Sequence, residues 1–222
     1  RSSQAMQRGH AEALMPLIAR VMKASGIGFA ALDRIAVTTG PGSFTGLRVG
    51  IMTAMTFAYA LDLPIGGVCS LDALAHRAQT LGMRGPLLVA TDARRKEIYW
   101  AHYDLDGGPI VPGDPAVDKA AAVAEQLGDI PAVGRGARLY ADVLHDATRA
   151  AAAGAVDTSG DAALTGAGEA EVLLDVDAAD LAIVAHERVM AGERLLDTEP
   201  LYLRRPDAVP AAAAPIARVL GR

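Results

Sequence analysis

A glycine-rich run is the part of this chain whose residue types and spacing best suit chemistry. The segment Gly40-Pro-Gly-Ser-Phe-Thr-Gly46 follows a β-branched stretch, Ile35–Thr39, and precedes a long helical pattern that ends near Leu61. A glycine turn at a helix start can offer backbone N–H groups to an anion. The spacing therefore leaves open a phosphate-binding turn or a purely structural turn. The candidate phosphate-binding residues are Gly40, Gly42, Ser43 and Thr45.

Two nucleotide-binding motifs do not fit this run. Leu47-Arg48 follows Gly46 where a P-loop has Lys and then Ser or Thr. The three glycines at 40, 42 and 46 are also spaced one residue too widely for the Rossmann fingerprint.

The rest of the sequence gives little support for a metal site or a catalytic nucleophile. The pair His10-Ala11-Glu12 matches the His-x-Glu of zinc deaminases, but no Pro-Cys-x-x-Cys segment follows. The single cysteine, Cys69, excludes a disulfide framework and a multi-thiolate zinc site, and it is either a buried structural residue or an activated thiol at a helix start. Asp92-Ala-Arg-Arg95 is either a turn held by local salt bridges or a carboxylate placed at a strand end. We therefore expect no metal site.

Composition bounds the class of protein. Of 222 residues, 51% are hydrophobic and 21% charged, as in an ordinary soluble globular protein. The net charge of −5 argues against binding nucleic acid alone through a large basic surface. The longest uncharged helical run, Val49–Leu61, is shorter than the roughly 20 residues that cross a bilayer. The chain also starts without the basic and apolar regions of a signal peptide. We expect a cytoplasmic protein that does not enter a membrane.

Alternating strand and helix patterns predict an α/β fold. The glycines around 82–85 suggest a boundary between a first lobe, residues 1–83, and a second lobe, residues 84–205, followed by a mobile tail, residues 206–222. Residues 150–170 are rich in Ala, Gly and Asp and are predicted to be loop. Predicted helices cover 10–25, 46–61, 71–81, 118–127 and 178–191, and predicted strands cover 35–39, 64–68, 87–91, 97–103 and 132–134.

The predicted helix after the glycine run carries a ridge of small side chains. Gly46, Gly50, Ala54 and Ala58 recur every four residues, and Leu47, Ile51 and Met55 form the next ridge. A ridge of small residues lets a second helix approach closely. The ridge could pack on the protein's own sheet. However, large apolar residues leave too little polar surface on this helix for a single buried side, so we favour a protein–protein interface.

Several segments resemble the TsaB (YeaZ) family, a bacterial subunit of the machinery that makes threonylcarbamoyladenosine in tRNA. The most specific is Thr39-Gly-Pro-Gly-Ser-Phe-Thr-Gly-Leu-Arg-Val-Gly50. Gly9-His-Ala-Glu12 precedes it, and Pro64-Ile-Gly-Gly-Val-Cys-Ser-Leu-Asp-Ala-Leu74 follows it. Asp92-Ala-Arg-Arg-Lys-Glu-Ile-Tyr99 and Tyr202-Leu-Arg204 also match. The similarity is close over residues 8–104 and loose elsewhere.

This resemblance implies an actin/hexokinase-like fold of two lobes that contain βαβ units. It also implies a homodimer in isolation, pairing with the catalytic paralog TsaD, and cooperation with a TsaE-like ATPase on tRNAs that read ANN codons, with tRNA bound only by the complex. In the family the first two helices form both the homodimer and the TsaD contact. The partner-binding residues expected here are His10, Leu14, Leu17, Gly46, Arg48, Gly50, Ile51, Ala54, Met55 and Ala58.

Two departures from related sequences shape the expected role. TsaD has two metal-binding histidines after the matching strand, and the corresponding positions here are Ser70 and Leu74, which cannot complete a metal site. We therefore expect a non-catalytic scaffold with no tightly bound cofactor and only weak ATP or ADP binding in the complex. The alternatives are an independent actin-like ATPase or a metallopeptidase-like enzyme. Family members also open with a β-hairpin bearing Asp-Thr-Ser, which this sequence lacks.

Overall fold

A computed structural model describes residues 10–148 and 171–204. The first part of the chain contains helix α1 (His10–Ser25), a 3-10 turn (Phe29–Ala31), strand β1 (Ile35–Gly40), helix α2 (Phe44–Leu61), strand β2 (Ile65–Cys69) and helix α3 (Ser70–Thr80). The second part contains β3 (Pro86–Asp92), β4 (Glu97–Asp104), β5 (Ala116–Lys119), α4 (Ala120–Leu127), β6 (Pro131–Val133), α5 (Arg135–Leu139) and β7 (His145–Asp146), and helix α6 (Ala178–Met190) comes last. The predicted loop at 150–170 and the predicted tail at 206–222 lie outside the described residues.

Strands β1 and β2 pair in parallel, and α2 is the crossover between them. Ser43 begins α2, because its Oγ accepts the N–H of Gly46 at 3.3 Å. The helix ends at Asp62, whose left-handed backbone (φ 52°) lets its N–H reach the carbonyl of Ala58. The predicted strand–turn–helix unit is confirmed, with α2 starting two residues earlier than expected.

The second sheet is mixed. In the described residues its order is β5-β4-β3-β6-β7, with β3, β4 and β5 antiparallel and β3, β6 and β7 parallel. One detail of the sequence prediction was wrong. Residues 116–119 form β5, so the predicted helix begins only at Ala120. The short helix α5 was not predicted.

Helix α6 returns to the first sheet. Its apolar stripe, Leu181, Val184 and Ala185, packs with Val68 of β2 and Ala73 of α3 in one buried cluster. The predicted boundary at residues 82–85 therefore separates the two sheets but not this helix, which lies within the predicted second lobe and packs on the first. Hydrophobic periodicity shows that a helix has a buried face, but it does not show which sheet covers that face.

The segment after α6 also crosses the first sheet. Leu196 and Gly67 exchange two backbone hydrogen bonds, of 2.7 and 3.0 Å, and Leu201 donates its N–H to the carbonyl of Thr39 at 2.8 Å. A Cβ on Gly67 would lie 2.6 Å from the carbonyl oxygen of Asp197. The absence of a side chain at Gly67 therefore allows this segment to lie against β2.

Candidate functional site

Helix α2 buries one face and exposes another. Leu47, Ile51 and Ala58 are buried against the chain's own core. An exposed stripe recurs every three or four residues along the same helix, so its members lie on one side. This stripe, called the outer face here, comprises Phe44 (56% exposed), Arg48, Met52 (61%), Met55 (42%) and Tyr59 (93%).

The structure corrects the predicted contact set on α2. Ile51 and Ala58 are only 4% and 7% exposed and so are not available at the chain's surface. Gly46, Gly50 and Ala54 are half-buried, and a Cβ at Gly50 would meet nothing within 4 Å. The ridge of small residues thus runs from a half-open side of the helix into the core. The large exposed residues lie on a different side, which helical spacing alone did not separate from the ridge.

Helix α1 contributes partly covered residues. Leu14 and Leu17 are half-buried, and Met15 is 49% exposed. The side chain of His10, the first residue of the helix, lies outside the described part of the structure. The turn after α1 contacts α2 through Phe29 and Phe57, whose rings stack with centroids 5.6 Å apart.

Helix α2 also has the length and hydropathy of a membrane span, and 17% of its residues are buried. Length and composition alone do not distinguish a membrane span from a helix of a soluble protein. The expectation that the chain stays out of membranes rested on a run of 13 residues without charge, whereas α2 extends to 18 residues with Arg48 near its start.

The glycine turn before α2 is held by its own contacts. Besides the cap from Ser43 to Gly46, Ser70 at the start of α3 donates its hydroxyl to the carbonyl of Pro41 at 2.7 Å. A Cβ on Gly46 would lie 2.6 Å from Oγ of Ser43, and Gly40 has a φ of 101°, a conformation that favours glycine. These contacts give Gly40 and Gly46 a structural reason. An anion at this turn would have to compete with Ser43 for the Gly46 N–H, so binding of phosphate there stays a prediction.

Sequence reasoning missed a cluster that joins the outer face to the end of the chain. Tyr202 stacks on Phe44 with ring centroids 5.5 Å apart, and its hydroxyl accepts a hydrogen bond of 3.0 Å from Nε of Arg48. The guanidinium carbon of Arg48 lies 4.1 Å from the centroid of Phe44. Tyr202-Leu-Arg204 was a recognised motif, but its contact with residues more than 150 positions earlier had no local signal.

Helix α3 places the positions expected to lack metal ligands inside the core. Leu74 is fully buried, and Ser70 is 5% exposed with its hydroxyl engaged by Pro41. In the described parts of the chain, no three His, Cys, Asp or Glu side chains group as metal ligands would.

Helices α3 and α6 are joined by two buried carboxylates, one from each helix, and each carboxylate binds side chains of the other helix. Asp72 of α3 accepts hydrogen bonds from Arg188 of α6 at 2.8 Å, from the hydroxyl of Tyr103 at 2.7 Å and from the N–H of Gly113 at 3.2 Å. Asp180 of α6 in turn binds His76 and Arg77 of α3, at 3.0 and 2.8 Å. Both carboxylates are almost fully buried. Buried charges that are paired in this way are typical of a structural core, although Nε of Arg188 has no hydrogen-bond partner among the described residues.

Burial dominates the chemistry of the groups around Asp72. It raises the pKa of the Cys69 thiol from 9.0 to about 12, and the negative charge of Asp72 adds to the rise. Burial, followed by the charge of Asp72, also raises the pKa of Tyr103. Both groups are thus held in their neutral forms, and of the two alternatives for Cys69 the structure favours the buried structural residue.

The turn after β3 is held locally. Oδ1 of Asp92 accepts the N–H of Arg94 at 2.7 Å, and Oδ2 lies 3.3 Å from Nη1 of the same residue. This geometry agrees with the alternative of a turn held by local salt bridges. Glu97, at the start of β4, forms an ion pair with Arg204 from the end of the described chain.

Comparison with known proteins identifies the family. The family described as TsaD, tRNA N6-adenosine threonylcarbamoyltransferase, matches residues 3–208. The chain belongs to this family. Its resemblance to TsaB and YeaZ is also confirmed, since TsaB of Escherichia coli, a tRNA threonylcarbamoyladenosine biosynthesis protein, is 34% identical over 142 residues, which cover 61% of this chain and 62% of TsaB.

Two further matches cover most of the chain. An uncharacterised protein of Mycobacterium tuberculosis is 36% identical over 209 residues, which cover 92% of this chain and 80% of that protein. The solved structure of YeaZ from Pseudomonas aeruginosa matches with a TM-score of 0.68 and 28% identity, over 90% of this chain and 87% of YeaZ. The expected actin-like α/β fold of the TsaD family is confirmed by this likeness.

Proposed function

We propose that this chain is a non-catalytic subunit of the machinery that forms N6-threonylcarbamoyladenosine in tRNA, and that its outer face on α2 docks on a catalytic TsaD-type protein. Involvement in threonylcarbamoyladenosine biosynthesis is supported by the named TsaB relatives. The observation that carries the docking role is the outer face itself.

The outer face is unlike the exposed side of an ordinary surface helix. Three large apolar side chains, Met52, Met55 and Tyr59, are 42–93% exposed along one side of α2. Contiguous exposed apolar surface is a mark of an interaction site, and Met and Tyr are enriched in interfaces. A partner that covers the outer face would remove this apolar area from water, which is a favourable contribution to binding.

The interior of the first lobe supports the non-catalytic part of the proposal. Ser70 and Leu74 stand where the TsaD resemblance implies metal ligands, and both are occupied in packing. The buried carboxylate of Asp72 is fully engaged by Arg188, Tyr103 and Gly113 and offers no open position to a substrate. These contacts favour a scaffold over a transferase or peptidase. A similar solved protein of Pseudomonas aeruginosa is described as having similarity to peptidase YeaZ.

The proposal also covers self-association, the other members of the complex, tRNA and nucleotide. In isolation the outer face binds a second copy of this chain. In the cytoplasm the catalytic TsaD-type partner binds the outer face instead, and a TsaE-like ATPase binds to the resulting complex. Contact with tRNA belongs to the assembled complex, in line with the net charge of −5. Binding of ATP or ADP to this chain alone is weak, because no lysine lies in the glycine turn.

The test compares charges placed on α2 and on α6. Met52→Glu puts a carboxylate in the centre of the outer face, and Ala54→Glu puts one on the neighbouring half-buried side. Ala182→Glu, at an exposed alanine of α6, is the matched control. We expect Met52→Glu to weaken pairing with the TsaD-type protein at least about 100-fold, because an unpaired charge would be desolvated. Binding is measured by titration, with the melting temperature as the folding check.

Ala54→Glu serves as the second measurement, because a half-buried site carries a cost in folding as well as in pairing. Loss of pairing in a Met52→Glu chain that melts like the parent, with normal pairing of Ala182→Glu, supports the proposal. Normal pairing of Met52→Glu overturns it. A parent chain that fails to stimulate tRNA modification by the TsaD-type protein would also contradict it.

A further inference from the structure

The described residues bring the end of the chain to the start of α2. Leu196 pairs with Gly67, Leu201 bonds to Thr39, and Arg204 pairs with Glu97, so the segment 196–204 is attached at three places. Tyr202 lies between the last two attachments and reaches the outer face at Phe44 and Arg48. The position of Tyr202 is therefore set by backbone and ion-pair contacts on both sides of it.

Arg48 is held in one orientation although it is exposed. Its Nε donates to the Tyr202 hydroxyl at 3.0 Å, and its guanidinium lies 4.1 Å from the centre of the Phe44 ring. A free arginine side chain loses rotamer freedom when it binds, whereas one already stacked and hydrogen-bonded has lost much of it beforehand. The guanidinium is thus ordered before any partner arrives.

The contacts of Arg48 leave one edge of its guanidinium available. Nε and one flat face are engaged, and the described residues supply no acceptor for the two terminal nitrogens. Those two nitrogens form a planar pair of donors that matches the two oxygens of a carboxylate. Arg48 lies one helical turn before Met52, so a charged residue adjoins the apolar part of the outer face.

We propose that Phe44, Arg48 and Tyr202 form a carboxylate-binding end of the outer face, which pairs with an Asp or Glu side chain of the docked TsaD-type protein. Tyr202 is a positioning residue for Arg48. This inference rests on the proposed function and adds the chemistry by which the partner is recognised. A single charge at the end of an apolar stripe fixes the register of docking, since only one placement of the partner matches both.

The experiment is a double-mutant cycle on partner binding. Tyr202→Phe keeps the stack on Phe44 and removes the hydroxyl, Arg48→Gln removes the charge, and a third chain carries both changes. We expect Arg48→Gln to weaken binding about 10-fold or more and Tyr202→Phe about 3-fold. In the double variant we expect no further loss beyond Arg48→Gln, because Tyr202 acts through Arg48. Arg48→Lys should not restore binding, because lysine lacks the planar fork.

Salt dependence supplies a readout that a purely structural role would not change. Binding by the parent should weaken with added salt more steeply than binding by Arg48→Gln. Melting temperatures of all variants should match the parent, because both residues are exposed. Parental binding by Tyr202→Phe, additive losses in the double variant, or equal salt dependence would each overturn the inference. Met52→Glu distinguishes failure of the docking proposal from failure of the carboxylate-binding inference. If Met52→Glu abolishes pairing while the double-mutant cycle shows no coupling between Arg48 and Tyr202, the docking proposal stands and the inference fails.

Discussion

Helices α2 and α3 each follow a strand of the same sheet, but the more polar helix, α3, is the more deeply buried of the two. Eight of the eleven residues of α3 are buried, including Asp72 and His76. Only Leu47, Ile51 and Ala58 are buried among the 18 residues of the more apolar α2. The difference lies in what covers each helix. Helix α6 and the second sheet enclose α3, whereas one side of α2 is left to solvent.

The comparison shows how polar residues can belong to a core and apolar residues to a surface. On α3 each buried charge meets a partner from another element, so its desolvation is offset by hydrogen bonds. On α2, Met52, Met55 and Tyr59 remain 42–93% exposed, and exposed apolar surface of this kind is typical of an interaction site. Buried charge is therefore matched by partners in one helix, whereas the exposed apolar surface of the other is the basis of the proposed docking role.

The largest effect should come from breaking the buried network on α3. We expect Asp72→Asn to lower the free energy of unfolding by about 3–5 kcal/mol, because Arg188 would remain buried without a charged partner. On α2, Met52→Gln should change it by less than about 0.5 kcal/mol, since Met52 is exposed. Urea unfolding of both variants measures the difference. If Asp72→Asn and Met52→Gln lowered the free energy of unfolding equally, the contrast between α3 and α2 would be wrong.

A smaller effect is expected in the reactivity of Cys69. Because its pKa is raised to about 12, the thiolate is scarce at neutral pH, and alkylation by iodoacetamide should be at least about 100-fold slower than for an unfolded chain. The rate should increase as the pH rises towards 12. The raised pKa also makes the stability of the fold depend on pH. The contribution of Cys69 to the free energy of unfolding is complete below the unfolded pKa of 9.0 and is lost as the pH rises from there to about 12. The same chain in denaturing urea is the control, and rapid alkylation of the native protein would contradict the buried assignment.

The smallest effect, a severalfold difference in rate, is expected in methionine oxidation by peroxide. Met52 and Met190 are 61% and 73% exposed and should oxidise faster than Met83, which is 7% exposed. Addition of the TsaD-type protein should slow oxidation of Met52 on α2 and leave Met190 on α6 unchanged. Peptide mass spectrometry follows each site. Equal protection of Met52 and Met190 would show that the partner does not select α2.

Local patterns were sufficient for most of the longer elements and for the family resemblance. The β-branched stretch before Gly40, the cap at Ser43 and the spacing of apolar residues each depend on neighbours within a few positions, and β1, α2, β2 and α3 were found where expected. Strand β5 was missed because its four residues run directly into α4 without a turn signal. The glycine run, also local, carried the family resemblance.

Long-range contacts decided the rest. The side of α2 that faces solvent depends on which other elements cover the helix, so Ile51 and Ala58 were placed on the surface when they belong to the core. Arg188, which binds Asp72, lies 116 residues from it along the chain, and Tyr202, which binds Arg48, lies 154 residues from it. The spacing of apolar residues predicts a helix, but it does not predict which element packs against that helix. The packing partner depends on the free energy of the whole folded chain. Sequence therefore predicted a partner for α2, and only the tertiary structure showed which of its faces is exposed.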